Sequence, residues 1–207
     1  MPSDLFPLFL KLQGRRCLVV GAGPISEGKI AGLLESGAKV NVVAPNATPK
    51  ILRWHKAKRL RLTKRAFRPA DLDNMFLVVA ATNSPKIHRA IYREARKHNV
   101  LCNIVDVPPL CDFYYPAVVR RGQLQIAIST AGASPSLARR LREEMESTFS
   151  PEYAAWLQHL AKERQKVFAK KIPPAERMAL LKTQASGKAF STFQRQKSRR
   201  ARPGGHP

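Results

Sequence analysis

Several residue types are scarce in this 207-residue chain, and each scarcity removes a class of protein. Cysteine occurs three times, as Cys17, Cys102 and Cys111. No Cys-x-x-Cys pair exists, so neither a zinc ribbon nor a dithiol couple is supported, and all three read as buried apolar thiols. The five histidines, His55, His88, His98, His159 and His206, show no metal-ligand spacing, and no metal ligand is assigned among them. No apolar run approaches the ~20 residues that a membrane helix needs. The longest one near the start, Leu5 to Leu10, is broken by Pro7 and lacks a basic segment before it. It reads as an edge strand, neither a span nor an export signal. The expected location is therefore the cytoplasm, where thiols stay reduced.

Acid is the scarcest of all relative to its counterpart: 14 Asp and Glu face 37 Lys and Arg, a formal charge of +23. Such a field draws polyanions, whether nucleic acid, dinucleotide or small polycarboxylate. Residues 151–207 hold 13 of the basic residues but only 3 of the acidic ones. Arg195 to Pro207 is basic, contains Gly and Pro, and reads as a disordered tail. The tail has almost no aromatic residues beyond Phe190 and Phe193, so stacking on bases is poorly supported.

What is present is a regular alternation. Cys17 to Val20 reads as a strand, Gly21-Ala22-Gly23-Pro24 as a turn, and Ile25 to Ser36 as a helix that opens behind Pro24 and stops at Gly37. Lys39 to Val43 is a second β-branched strand ending at Ala44-Pro45-Asn46, and so short a crossover implies parallel strands. Leu60 to Leu62, then Met75 to Ala80, a helix over Ser84 to His98, and Val100 to Val105 continue the pattern. The continuous apolar character of the later strands predicts burial on both faces, as in a doubly wound sheet. After Pro108 the texture changes to two antiparallel strands, Phe113 to Val119 and Leu124 to Ile128, followed by helices over 136–147, 152–170 and 174–182.

The glycine turn carries the first functional signal. Gly21 and Gly23 between a strand and a helix allow backbone N–H groups to approach a pyrophosphate at the positive end of the helix. The third glycine of the dinucleotide fingerprint is replaced by Ser26, and no acid ends the second strand to hold a ribose diol. Asn46 can hydrogen-bond a diol without charge, or it belongs only to the Pro-Asn turn. The same glycine turn also occurs in α/β folds that bind nothing. With no arginine directly after the strand and only Lys50 nearby, NAD is favoured over NADP.

Taken together, Val20-Gly-Ala-Gly23-x3-Glu27-x-Lys29, Ala80-Ala-Thr82-Asn83, Asn103-x-x-Asp106-x-Pro108, Phe113-x-x-Pro116-Ala117 and Ser129-Thr-Ala-Gly132-x-Ser134-Pro135 resemble one family. It is the precorrin-2 dehydrogenase family, the amino-terminal module of sirohaem synthases that also occurs alone. The similarity runs over about residues 5–150, with departures at Ser26, Gly28, Asn83 and His88. It implies a homodimer that oxidises precorrin-2, a tetrapyrrole polycarboxylate, to sirohydrochlorin with NAD. In some members the same site inserts ferrous iron. The segment after residue 150 is too short for the fused methyltransferase domain, so methylation is expected to come from elsewhere.

The expected architecture is α/β: a Rossmann-like NAD-binding domain over 1–112, a small α+β dimerisation and substrate region over 113–150, carboxy-terminal helices over 151–189, and a basic disordered tail over 190–207. Gly21, Gly23, Pro24, Ile25, Pro45, Asn46 and Thr82 are the expected cofactor residues. Oxidation of the macrocycle removes a hydride and a proton. Asp106, closing a strand at the carboxyl edge of the sheet, is the candidate base, unless it only caps the turn before Pro108. Arg120, Arg121, Ser134 and Arg139 are the candidate substrate residues, because guanidinium forks match carboxylates. The triplet Arg139, Arg140 and Arg142 reads equally well as a solvated helix face. The competing function is a non-catalytic dinucleotide sensor whose basic tail binds nucleic acid. It would bind NAD without turnover, and its nucleic-acid affinity would fall steeply with salt.

Overall fold

A computed structural model describes residues 5–201, with side chains described to residue 197. Five strands form one sheet: β1 (Arg16–Val20), β2 (Lys39–Val43), β3 (Arg61–Thr63), β4 (Leu77–Ala80) and β5 (Leu101–Ile104). All neighbours are parallel, in the order β3-β2-β1-β4-β5. The chain steps outward from β1 in one direction, then crosses back to β4. This reversal is the switch point beside which open α/β sheets bind ligands.

The apolar strands divide their residues between two layers. Cys17 and Val19 of β1 enter one core with Ile30 and Leu33 of α1 (Pro24–Glu35) and Ile51 of α2 (Pro49–Lys56). Leu18 and Val20 enter the other with Leu72 and with Ile91 and Ala95 of α3 (Pro85–Lys97). Successive strand side chains point to opposite faces, so a sheet covered on both sides needs apolar residues at every position. The helix α2 adds to the elements that the sequence predicts. Its local signal is Thr48-Pro49, where the Thr48 hydroxyl accepts from Ile51 N and proline takes the first helical turn.

The Leu5–Leu10 segment is not the edge strand that was expected. It is in no sheet, and Phe6, Leu8 and Phe9 are exposed. Pro7 has no N–H to give to a ladder, and the chain first enters the core at Leu12.

The chain divides into two compact units, Met1–Tyr115 and Pro116–Pro207. The first runs past the expected boundary at 112 because residues 111–115 are tied to β5. Cys102 N donates to Asp112 Oδ2 (2.9 Å), Asp112 N to the Cys102 carbonyl (2.7 Å), and Asn103 Nδ2 to the Phe113 carbonyl (2.8 Å).

The second unit is an antiparallel ribbon, β6 (Ala117–Arg121) and β7 (Leu124–Ile128), followed by α4 (Pro135–Thr148), α5 (Tyr153–Ala169), α6 (Pro174–Gln184) and α7 (Gly187–Ala201). The last helix corrects the expected disordered tail over 190–201, while residues 202–207 lie outside the described residues. Phe190 and Phe193 are one turn apart and pack on an aromatic patch of α5. Phe190 lies 4.4 Å from Tyr153, and Phe193 lies 5.0 Å from Trp156 and 5.3 Å from His159, centre to centre. Two aromatic anchors on one face order a helix that its composition alone would leave unfolded.

Candidate functional site

The first unit opens at the carboxyl edge of β1 and β4. Gly21 leaves β1 with φ +103°, its N–H bound to the Val43 carbonyl (3.0 Å). A Cβ there would meet the Ala81 carbonyl oxygen at 2.2 Å, so the turn can pass under the end of β4 only as glycine. Gly23 differs: it is the N-cap of α1 with φ −84°, and a Cβ would meet nothing within 4 Å. Its bareness serves an approach from outside. With no capping side chain the N–H groups of Gly23 and Ile25 remain open at the positive end of the helix, since Pro24 has none and Ser26 N donates to the Gly23 carbonyl at 3.1 Å. Pro24 and Ile25 stand exposed beside it, Ile25 as a large apolar side chain 59% accessible. Pro45 and Asn46 lie exposed at the end of the adjacent strand β2.

Two buried hydroxyls in this region have no hydrogen-bond partner: Ser26 Oγ, on a residue with no exposure, and Thr82 Oγ1. Thr82 sits on the loop from β4 to α3, its methyl against the Gly21 position. Behind it His88, 8% exposed, places Nε2 2.7 Å from the Thr82 carbonyl. A carbonyl only accepts, so the proton is on Nε2 and the imidazole pins the loop. In the sequence Ser26 and His88 stand only as departures from the family pattern. Their burial gives them contacts that spacing does not disclose.

These features fit a dinucleotide. The turn is bare where a pyrophosphate approaches, the helix end is uncapped, and two orphaned hydroxyls await acceptors or donors. Glu27, the acid of the first helical turn, pairs with Lys50 at 3.4 Å. A hydrogen bond from Thr48 and the Lys50 charge hold it below the ordinary carboxylate range.

Asp106 follows β5 at the same edge, one strand beyond β4. Val105 N donates to the Ala80 carbonyl at 2.9 Å, which brings Asp106 close to the loop that carries Thr82. Asp106 is exposed and has φ +61°, a conformation that aspartate tolerates better than most residues. Its carboxylate makes no hydrogen bond or ion pair among the described residues. Beneath the edge, burial pushes the Cys17 thiol up to about 11 and the Cys102 thiol to about 12, both far from reactive thiolates. Among the described residues no group of three His, Cys, Asp or Glu side chains could hold a metal ion, and no helix is long and apolar enough to cross a membrane.

The substrate candidates lie in the second unit, and the structure separates them. Arg120 is exposed on β6. Arg121 has its fork occupied: Nε donates to the Phe149 carbonyl (2.6 Å) and a terminal nitrogen to the Glu146 carbonyl (2.9 Å), satisfying the last carbonyls of α4. That engagement corrects the expectation of a carboxylate fork at Arg121. Ser134 caps α4 by accepting from Leu137 N (3.2 Å). Arg139 pairs with Glu143, Arg140 with Glu144 and Arg142 with Glu146, each one turn on. This is the solvated face, where such pairs contribute only about 0.3–0.5 kcal/mol each.

Two family models match the chain, one described as putative NAD(P)-binding over residues 8–117 and one as sirohaem biosynthesis protein, central, over residues 121–148. The chain is 41% identical over 150 residues to a siroheme synthase of Methylobacillus flagellatus, covering 72% of this chain and 32% of that protein. It is 37% identical over 172 residues to siroheme synthase 1 of Aeromonas hydrophila, covering 82% and 37%. The chain thus spans about a third of the length of these curated relatives. The solved structure of the precorrin-2 dehydrogenase SirC superposes with a TM-score of 0.76 at 31% identity, covering 89% of this chain and 91% of that one.

Proposed function

The chain belongs to the precorrin-2 dehydrogenase family, and on that premise we propose that it oxidises precorrin-2 to sirohydrochlorin with NAD in sirohaem biosynthesis. The observation that carries the reading is the bare Gly23 at the uncapped start of α1, flanked by the orphaned hydroxyls of Ser26 and Thr82, on the same edge as Asp106. Bound NAD supplies the hydride acceptor. The free backbone N–H groups of Gly23 and Ile25 would hold its pyrophosphate, Pro24 having none and Ser26 N being turned to the Gly23 carbonyl, while Thr82 and Ser26 would offer hydroxyls and Asn46 at the end of β2 would serve the ribose diol in place of the missing acid.

Asp106 takes the proton at a carboxylate oxygen. Its exposure and its freedom from other partners leave that oxygen open to substrate, and its place beyond Thr82 sets it beside the cofactor cradle. Pinning of the Thr82 carbonyl by His88 keeps the wall of the site in place without proton transfer of its own. In the second unit Arg120, with Ser134 and Arg139 at the start of α4, is our proposed contact to the substrate carboxylates.

Assembly as a homodimer is part of the same proposal. The β6–β7 ribbon is joined by no third strand among the described residues, so its strands keep open edges that a second copy can extend. Three free thiols suit a reducing cytoplasm. The competing nucleic-acid reading loses its stacking residues, since Phe190 and Phe193 are spent on the aromatic patch of α5.

The deciding experiment is anaerobic incubation of purified protein with precorrin-2 and NAD. NADH should appear in equal amount with sirohydrochlorin. Tight NAD binding with no NADH over many hours would overturn the enzyme reading and favour a sensor. Adding ferrous iron as a second substrate and following sirohaem tests whether the site also inserts the metal.

A further inference from the structure

Lys29 occupies the second turn of α1, and its setting is unusual for a lysine. It is half-buried, its ammonium stands 3.6 Å from the centre of the Tyr115 ring, and the Asp106 carboxylate is near enough for its charge to be felt. Lys50, Lys97 and Lys166 each sit on a carboxylate, whereas Lys29 has no ion-pair partner among the described residues. Burial pushes its pKa below the ordinary lysine value, and the charge of Asp106 opposes that only in part.

A cation that has given up part of its hydration seeks an anion. The ring face returns less at such a site than a charge-assisted hydrogen bond to a carboxylate. Asp106 stands beyond ion-pair reach of the ammonium, which nonetheless feels its charge. The anion that completes the arrangement must come from outside, and the substrate is a macrocycle bearing many carboxylates.

Resting on the dehydrogenase reading, we propose that Lys29, backed by the Tyr115 ring, is the carboxylate anchor of the active site. It binds one peripheral carboxylate of the tetrapyrrole and thereby sets which ring carbon is presented to Asp106. The cation–π contact holds the ammonium on the Tyr115 ring within reach of the Asp106 field, and the flexible lysine stem lets it follow the carboxylate as the ring seats.

The test uses the full chain and sirohydrochlorin as probe, titrated anaerobically into wild type, Lys29→Gln and Lys29→Arg. Lys29→Gln should weaken sirohydrochlorin by about 10- to 100-fold, the scale of one charged hydrogen bond, and raise KM for precorrin-2 more than it lowers kcat. Lys29→Arg should recover most of the affinity, with NAD affinity unchanged in both. Independently of any variant, bound sirohydrochlorin should shield Lys29 of the wild type from acylation by acetic anhydride, read by mass spectrometry, and NAD alone should not. Unchanged sirohydrochlorin affinity in Lys29→Gln, or equal acylation with and without the probe, overturns the anchor while leaving the enzyme reading intact. A wild type that neither binds sirohydrochlorin nor oxidises precorrin-2 overturns the enzyme reading, and the anchor with it.

Discussion

Replacing Gly21 and Gly23 one at a time by alanine should break two different things. At Gly21 the added Cβ would stand 2.2 Å from the Ala81 carbonyl oxygen and 2.8 Å from its carbon, where about 3.3 Å is a close contact. The end of β4 would have to move by roughly 1 Å, against the hydrogen bond from Ala81 N to the Val20 carbonyl at 2.8 Å. The φ of +103° adds strain for any side chain, about 1–3 kcal/mol. Forcing a methyl into a packed interior costs about as much again. Gly21→Ala should therefore lose roughly 2–6 kcal/mol, and at about 2–4 °C per kcal/mol its melting temperature should fall by roughly 4–24 °C. Gly23→Ala has φ −84° and open space, so its stability should stay within about 1 kcal/mol of wild type, yet its methyl would fill the approach to the helix end. Thermal melts of the free proteins and calorimetric NAD titrations read the two effects separately. A Gly21→Ala protein that melts with the wild type refutes the packing argument. A Gly23→Ala protein that binds NAD as tightly as wild type refutes the cofactor cradle.

Asp106→Asn is the right probe of the base, because asparagine also tolerates φ +61° and the fold should be kept. Turnover should fall by about 10²-fold or more, with melting temperature and NAD affinity unmoved, and loss of stability with an intact rate per folded molecule would make the residue structural. At Asp71, burial works to raise the carboxyl, but Arg65 at 2.8 and 2.6 Å and Arg68 N at 2.8 Å outweigh it and hold the pKa below its ordinary 3.8. A depressed pKa contributes stability above the unfolded value that is lost as pH falls through the folded one. Asp71→Asn should therefore melt lower than wild type at neutral pH, with the gap closing below about pH 4, and a gap that persists in acid would refute the ion pair as its source. Ending the chain at Ser186 removes Phe190 and Phe193 from the aromatic patch and should destabilise the second unit by about 2–3 kcal/mol, as two half-buried phenylalanines suggest. An unchanged calorimetric profile would show that α7 contributes nothing.

The sheet was legible in the sequence because its determinants are local. Cys17 to Val20 is apolar without alternation, the glycine turn follows, and Gly37 and Pro45 punctuate what comes after, so neighbouring residues along the chain suffice to recognise parallel strands and helices. The same holds for Gly21 and Gly23 as a pair and for the position of Asp106 at a strand end. What each of them does was not local. Only the approach of Ala81 across the sheet distinguishes a glycine needed for packing from one left bare for a ligand. Only the long-range contacts of α7 order a segment whose charge alone argues for disorder. Arg121 has the chemistry of a carboxylate binder, but the carbonyls of Glu146 and Phe149 take up its donors in the fold. Lys29 stands in the sequence only as the end of a motif, and its setting against Tyr115 comes from segments far apart in the chain. Strand and helix follow from periodicity, which a sequence carries in full, whereas desolvation and partner choice are fixed only when distant segments meet.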